Sequence, residues 1–484
     1  MNIAEAERQI ETTARAYAMK DENGMPRIPV QAQRPLYLVG PPGVGKTAIV
    51  AQAASRLGIG LVSYTMTHHT RQSALGLPQI VKCSVGGREV AVTQYTMSEI
   101  LLGVYRRVEA GQTRGILFLD EINCVSETLM PALLELLQHK RFGEFCVPEG
   151  WMIVCAGNPE RYNRSARAFD PVTLDRLRVL EVEADLEAWM DFAAENRVCA
   201  SIRGYLRLRP QDFYVTDGDN AVTPRSWTDL SYMLETLERM GEAPDRELCA
   251  QYLLCPAVAE SFALYEALGR AVAGRLKLDT LLDEGTDDAR VSALCGASFD
   301  ETLYAAMLLA DHMRALIEGY ERKRELARRL ESYVDGVASD HSVPRLEVCR
   351  EHLGRMERAL EVRREVGALS SREAAEDGNL FRLIRRAIAA AGEGEDTDVA
   401  LRGYAASRTE EAASDRKQLI PRITRGLDFA DAAFTDRHVK VIFLSELTRS
   451  GAATRFLERE MGERLRALRQ ELDPKLRTDQ IRSE

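Results

Sequence analysis

"GPPGVGKT", residues 40–47, decides the fold. It matches G-x-x-x-x-G-K-[ST] in full and stands between the apolar run "LYLV" and a helical pattern over Thr47 to Leu57. That context gives the spacing its chemistry. Gly40, Pro41, Pro42, Gly43, Val44 and Gly45 form a loop able to curl, so that backbone N–H groups and the following helix N-terminus face phosphate oxygens. Lys46 then reaches the β- and γ-phosphates, and the Thr47 hydroxyl is placed to ligate magnesium.

Outward from the loop, from Pro35 to about Glu183, short apolar runs alternate with helical patterns. The runs are "LYLVG", "GLVSYT", "GILFLD", "WMIVCAG" and "LRVLEV"; the helices cover Thr47 to Leu57, Met97 to Glu109 and Glu127 to Gln138. Such alternation predicts an α/β domain, a parallel sheet covered on both faces. "QIVKCSVGGREVAVTQYT" interrupts it with two strand-like runs around Gly86-Gly87, which predicts an inserted hairpin.

Two further strand ends carry candidate chemistry. "GILFLDEIN" empties into Asp120 and Glu121. In a phosphate-binding sheet Asp120 holds the magnesium shell, while Glu121 polarises the water that attacks the γ-phosphate. "WMIVCAGNPERYN" ends at Asn158-Pro159, where the Asn158 amide can orient that water; taken alone it reads as an ordinary turn.

The flanks are helical. Residues 1–34 read as an amphipathic helix and the linker "DENGMPRIPVQAQRP". Residues 184–275 read as a small all-helical domain containing "TPRSWTDL", 223–230, in which Thr223 suits an N-cap, Pro224 the first helical position, and Trp227, Leu230, Met233, Leu234 and Leu237 the buried face. Arg225 then stands in the first turn, where the helix dipole repels a cation unless an anion sits there. Residues 276–484 form a helical extension. Within it Leu309, Met313, Leu316 and Tyr320 share one helix face, and Leu346, Cys349, Leu353, Met356 and Leu360 another, across the turn-rich "DGVASDHSVPR". These predict an antiparallel helical hairpin over about 300–366.

Composition narrows the partners. A formal charge of −10 gives no blanket footprint for nucleic acid or anionic membrane. Nine cysteines without a CxxC pair make neither a disulfide framework nor a zinc site, and His68-His69 lacks the spaced ligands to complete a metal shell. With no apolar run of about 18 residues and charges where a signal peptide needs an apolar stretch, the expectation is a cytoplasmic protein without a membrane span.

The three segments in this order resemble the AAA+ ATPases, with Walker A at Gly40 to Thr47, Walker B at Asp120 and Glu121, and sensor 1 at Asn158. The fuller resemblance is to the MoxR type of the dynein-related branch, on "DEIN" at 120–123, "NP" at 158–159, "LDR" at 174–176, "PRSW" at 224–227, and "GLP" at 76–78 before the hairpin. It covers roughly residues 30–275. Cys124 stands where the family often has a basic residue and Leu177 where it usually has Phe, which bears on ring-surface details rather than on nucleotide contacts.

The resemblance implies a Mg-ATP-dependent ATPase, assembled as a hexameric ring, that remodels a protein client in a chaperone-like way, with metal-cofactor insertion and a von Willebrand factor A domain partner as its family setting. It implies that Arg176 is the arginine finger reaching a neighbouring subunit's γ-phosphate, with Arg164, Arg167 and Arg178 close enough in sequence to compete. It also implies that Arg225 is sensor 2, the phosphates supplying its missing anion. Two rivals remain: a DNA-acting motor, which needs basic loops the acidic balance does not favour, and a nucleotide-gated scaffold with low turnover.

Overall fold

Apolar runs buried on both faces make the middle of the central sheet, while its two edge strands are partly exposed. The computed structural model describes residues 1–68, 72, 74, 76–85, 88–163, 165–285, 288–337, 345–365, 371–391 and 397–472. The chain divides into two compact units: residues 1–188 with 358–375, and residues 189–357 with 376–484.

In the first unit the strands are β1 (Leu36–Val39), β2 (Gly60–Thr65), β3 (Pro78–Val85), β4 (Arg88–Tyr95), β5 (Gly115–Asp120), β6 (Arg141–Phe142), β7 (Phe145–Cys146), β8 (Trp151–Gly157) and β9 (Arg178–Glu181). The main sheet has the order β2-β5-β8-β1-β9, and every neighbouring pair is parallel. Every residue of β8 is buried, as a central parallel strand requires. Register places Leu38 beside Ala156 and Phe118 beside Val154, so β1, β5 and β8 end together at one edge.

The helices of this unit are α1 (Ile3–Tyr17), which precedes the first strand, and the connections α2 (Lys46–Leu57), α3 (Glu99–Glu109), α4 (Met130–His139) and the short α5 (Pro171–Asp175). The expected parallel α/β sheet is present. Ile100, Leu101 and Val104 of α3 and Leu133, Leu136 and Leu137 of α4 share a core with Leu117, Leu119, Ile153 and Cys155 of the strands. Helix α1 opens with an Asn2–Glu5 capping box and buries Ala6, Ile10 and Ala14, while Arg56 of α2 pairs with its Glu7 at 3.3 Å. The insertion is an antiparallel hairpin of β3 and β4, separate from the main sheet; Gly86-Gly87 lie outside the described residues.

The second unit is helical, which matches the expected helical region. After α6 (Leu186–Glu195), which spans the boundary, come α7 (Ala200–Leu208), α8 (Pro224–Met240), α9 (Arg246–Tyr252) and α10 (Pro256–Leu276). Tyr205, Trp227 and Phe262 meet edge to face around them, with centroids 5.4 Å apart from Phe262 to each of the others. Then follow α11 (Leu278–Glu284), α12 (Asp288–Cys295), α13 (Phe299–Val337), α14 (Arg345–Glu365), α15 (Ser371–Ala391), α16 (Thr397–Ala433), α17 (Arg437–Leu447) and α18 (Gly451–Leu472).

The Leu309, Met313 and Tyr320 face of α13 packs with Leu419, Ile423 and Leu427 of α16, Phe443 of α17 and Phe456 of α18. Contact with α14 is made further along, where the Tyr333 hydroxyl donates to the Cys349 carbonyl at 3.1 Å and its ring stacks on His352. Periodicity showed which face of α13 is apolar, and the burial went to later helices.

Residues on both sides of position 275 share one unit, joined by a buried ion network. Arg203 of α7 is fully buried, donates Nε–H to the Val198 carbonyl at 3.0 Å, and pairs with Glu446 and with Asp311. Arg449 reaches Glu446 at 2.7 Å and Arg207 reaches it at 3.3 Å. Burial alone pushes the Glu446 carboxyl up; the guanidiniums of Arg203, Arg449 and Arg207 outweigh that and hold it below its ordinary value.

Removing that carboxylate takes one acid from each of three arginines, leaving Arg203, which has no exposed surface, with Asp311 alone among the described residues and Arg449 with Asp191. Glu446→Ala therefore destabilises the helical unit by about 3–5 kcal/mol at neutral pH, measured by denaturant unfolding. Because the folded value lies below the unfolded one, the stabilisation is present above the ordinary carboxylate range and is lost as pH falls through the lowered value. The gap between wild type and variant must shrink on acidification.

Among the described residues no helix is long and apolar enough to cross a membrane, and no grouping of three or more His, Cys, Asp or Glu suits a metal ion.

Candidate active site

The chain ends of β1, β5 and β8 meet where the strand order reverses, the place at which open α/β sheets bind ligands. β1 runs into the 40–47 loop. A Cβ at Gly40 would lie 2.3 Å from the Val182 carbonyl oxygen, so only glycine lets the loop leave the sheet here. Gly45 has φ 98°, a left-handed conformation, and caps α2 without a side chain; the helix then begins at Lys46. The turn aims the first amides of α2 outward, into the space beyond the strand ends.

Lys46 is buried, and its Nζ donates to the carbonyls of Gly40 at 2.8 Å and Pro41 at 2.7 Å and to Asn158 Oδ1 at 2.9 Å. The lysine thus ties the loop after β1 to the turn after β8. Thr47 Oγ1 donates to Asp120 Oδ2 at 2.7 Å, bringing a hydroxyl and a carboxylate together at the loop's exit. Those are hard oxygen donors, the set a magnesium ion takes together with substrate phosphates, without a dedicated protein cage. The Asp120 and Glu121 charges also bear on the neighbouring Cys124 thiol, which burial first and these carboxylates second push above its ordinary value. A cation in this place relieves that negative field.

Glu121 has φ 55°, a left-handed conformation that costs a non-glycine residue about 1–2 kcal/mol. Its own N–H is held by Asp120 Oδ1 at 2.9 Å, and its Oε2 accepts from Thr67 Oγ1 at 2.9 Å. Strain of this kind, kept in place by hydrogen bonds, aims the carboxylate rather than the backbone. Thr67 was not legible as a site residue. It lies just past β2, and only the parallel pairing of β2 with β5 brings it to Glu121.

Asn123 is likewise buried. Its Nδ2 donates to the Asn158 carbonyl at 2.8 Å and to the Arg167 carbonyl at 3.4 Å, and its own carbonyl accepts the Arg167 N–H at 2.9 Å. One side chain therefore fixes the strand-end turn that carries the Asn158 amide. Asn123→Ala leaves two carbonyls without that donor and frees the turn. If Asn158 orients the attacking water, kcat falls about tenfold to a hundredfold while KM for ATP changes little, and Asn123→Asp, which cannot donate, behaves as Ala does. Steady-state phosphate release on the three proteins checks this.

The arginines separate cleanly. Arg178 is engaged by α1, donating to Thr13 Oγ1 at 2.7 Å and Gln9 Oε1 at 2.6 Å. Arg167 pairs with Glu127 at 2.7 Å. Arg164 lies outside the described residues. Arg176 caps the C-terminal end of α5, its N–H donating to the Thr173 carbonyl at 3.1 Å. Its side chain is exposed, near enough to Asp170 to add to the Thr173 N–H in holding that carboxyl below its ordinary value, but makes no side-chain hydrogen bond or ion pair among the described residues.

Arg225 belongs to the helical unit. Thr223 caps α8, its hydroxyl accepting from the Ser226 N–H at 3.3 Å while Ser226 Oγ accepts from the Thr223 N–H at 2.9 Å, and Trp227 and Leu230 are fully buried. With the helix start fixed, Arg225 is exposed in its first turn and no acid pairs with it among the described residues. His68 forms part of a short 3-10 turn; His69 lies outside the described residues.

Residues 35–177 match the family model of the AAA domain, dynein-related subfamily. No curated protein matches the chain. Among solved structures, NtrX from Brucella abortus in complex with ADP is 16% identical over 50% of this chain and 50% of its own, with a TM-score of 0.29. PCH-2 of C. elegans is 15% identical over 55% of this chain and 68% of its own, with a TM-score of 0.25. The chain spans half the length of NtrX.

Proposed function

We propose that this chain is a Mg-ATP-dependent AAA+ ATPase of MoxR type that works as a ring and uses hydrolysis to remodel a protein client. The observation that carries the reading is the convergence of Lys46, Thr47, Asp120, Glu121 and Asn158 on the strand ends next to a left-handed glycine turn. The dynein-related AAA match over residues 35–177 supports it.

Phosphates enter the loop 40–45, where the amides at the start of α2 receive them and Lys46 exchanges its loop carbonyls for phosphate oxygens. Thr47 and Asp120 would hold magnesium, which when bound neutralises phosphate charge. Glu121 takes the proton of the attacking water, leaving Thr67 to steady the carboxylate, and Asn158 orients that water through its amide. Arg176 serves the γ-phosphate of a neighbouring subunit, and Arg225 supplies charge from the helical unit of the same chain, its first-turn position at last matched by an anion.

The client is a protein, in a chaperone-like maturation that includes metal-cofactor insertion, with a von Willebrand factor A domain protein as partner. The test is capture by an ATP-bound trap. Glu121→Gln protein purified under Mg-ATP retains a defined protein partner that ADP releases. Recovery of DNA instead, or of the chain alone, contradicts the remodelling role.

A further inference from the structure

The open edge of the main sheet carries a second surface, away from the strand ends. β2 stands first in the sheet order and, among the described residues, has a strand neighbour on one side only. The Gly60 N–H donates to the Arg114 carbonyl at 2.9 Å, toward β5. Backbone groups alternate in direction along a parallel pair, so Gly60, Val62 and Tyr64 bond β5 while Leu61 and Ser63 turn their N–H and C=O outward. An edge of this kind is a template for another extended chain.

Helix α3 walls this edge into an open groove of about 520 Å³, lined by Leu61, Val62, Ser63, Tyr64, Gly103 and the arginines 106 and 107. The wall is cut back at one place, since a Cβ on Gly103 would lie 2.6 Å from the Tyr64 hydroxyl. Arg106 is exposed, and neither it nor Arg107 has an acid partner among the described residues. Arginines in a last turn complement the helix dipole, worth about 0.3–1 kcal/mol, which accounts for their sign. It does not account for Arg107 Nη1, which is buried without a hydrogen-bond partner, nor for a guanidinium that burial holds below its ordinary value. Of the carboxylates on α3, Glu99 lies two turns away from Arg106, about 10 Å along the helix, and Glu109, three residues on, makes no ion pair with it among the described residues.

We propose that the β2 edge docks an extended acidic segment of a partner protein, which adds to the sheet as a strand and places its carboxylates on Arg106 and Arg107. Backbone groups of Leu61 and Ser63 supply the strand bonds, and the two guanidiniums select sign. A second copy is the poorer occupant. Two β2 edges paired about a two-fold axis bring the same arginines to both sides of one interface, where like charges repel. Nucleic acid offers phosphates for the arginines but no alternating N–H and C=O for the strand edge.

The test uses the full-length chain and a fluorescein-labelled (Thr-Glu)4 amide, followed by anisotropy. Saturable binding is expected, with the (Thr-Lys)4 counterpart and the Arg106→Ala/Arg107→Ala protein each weakening it by about tenfold or more. Peptide N-methylated at alternate residues should not bind. That arm uses the unaltered protein, so it decides even where a variant fails to fold. Arg106→Glu/Arg107→Glu should prefer the lysine peptide. Absence of saturation, binding indifferent to charge, or equal binding of the N-methylated peptide overturns the proposal. So does sedimentation showing that the double Ala variant breaks apart an assembly that wild type forms through this edge.

Discussion

Replacing Arg176 by Ala is expected to lower ATP turnover by about 10³- to 10⁵-fold, the weight an arginine finger carries in phosphoryl transfer. The local structure argues for this arginine over Arg167 and Arg178. Asp170 caps α5 through the Thr173 N–H at 2.8 Å, and Arg176 follows as the cap residue at the other end, exposed, its charge felt by Asp170 but in no ion pair with it among the described residues. Arg178 and Arg167 are held by α1 and by Glu127. Because a finger acts across a subunit boundary, the loss must be repairable in trans. Mixing Arg176→Ala with Glu121→Gln creates interfaces in which one subunit brings Glu121 and its neighbour Arg176. Turnover of the mixture should rise well above that of either variant alone. A mixture no more active than its parts means that Arg176 serves its own subunit or none.

Glu121→Gln is expected to lower turnover by about 10²- to 10⁴-fold, the contribution of a positioned general base. Glutamine keeps the size of the side chain and can still accept from Thr67 Oγ1, so the left-handed turn at position 121 loses no support. What it cannot do is take a proton. ATP binding should persist, because the loop, Lys46 and the Thr47–Asp120 pair are untouched. Equilibrium binding of a fluorescent ATP analogue beside steady-state phosphate release separates the two. Loss of binding together with turnover would show that Glu121 holds the site's shape instead.

The residues proposed to cradle phosphate form a loop whose geometry was legible because they are contiguous: eight residues carry their own turn in their glycines. Asp120, Glu121 and Asn158 were legible as strand ends. Thr67 and Asn123 were not, for a physical reason. Thr67 acts by one hydrogen bond to a residue that the sheet register brings near, and Asn123, although quoted within "DEIN", acts by donating to carbonyls that only the turn after β8 brings near, a partner choice with no sequence signature. The strained φ at Glu121 is invisible in the same way, since nothing in "DEIN" demands a left-handed residue.

The helical part shows a different limit. The Leu309, Met313 and Tyr320 stripe was readable as an apolar face, yet its partners stand about a hundred residues later, on α16, α17 and α18. Amphipathic spacing gives the direction of burial and not its destination. Arg203 and Glu446 make the same point, because a charged pair with almost no exposed surface looks like two solvated residues until the helices are packed.

The most direct measurement is phosphate release from Mg-ATP by the purified chain, with Lys46→Ala alongside. In this structure Lys46 links the loop to the turn after β8, its Nζ donating to the Gly40 carbonyl at 2.8 Å and to Asn158 Oδ1 at 2.9 Å. Wild type should turn over ATP steadily, with activity abolished by chelation of the divalent ion, and Lys46→Ala should neither bind ATP at concentrations that saturate wild type nor release phosphate. Turnover by Lys46→Ala at the wild-type rate, or a folded wild-type chain that binds no ATP, would contradict the assignment of these strand ends as an ATP-hydrolysing site.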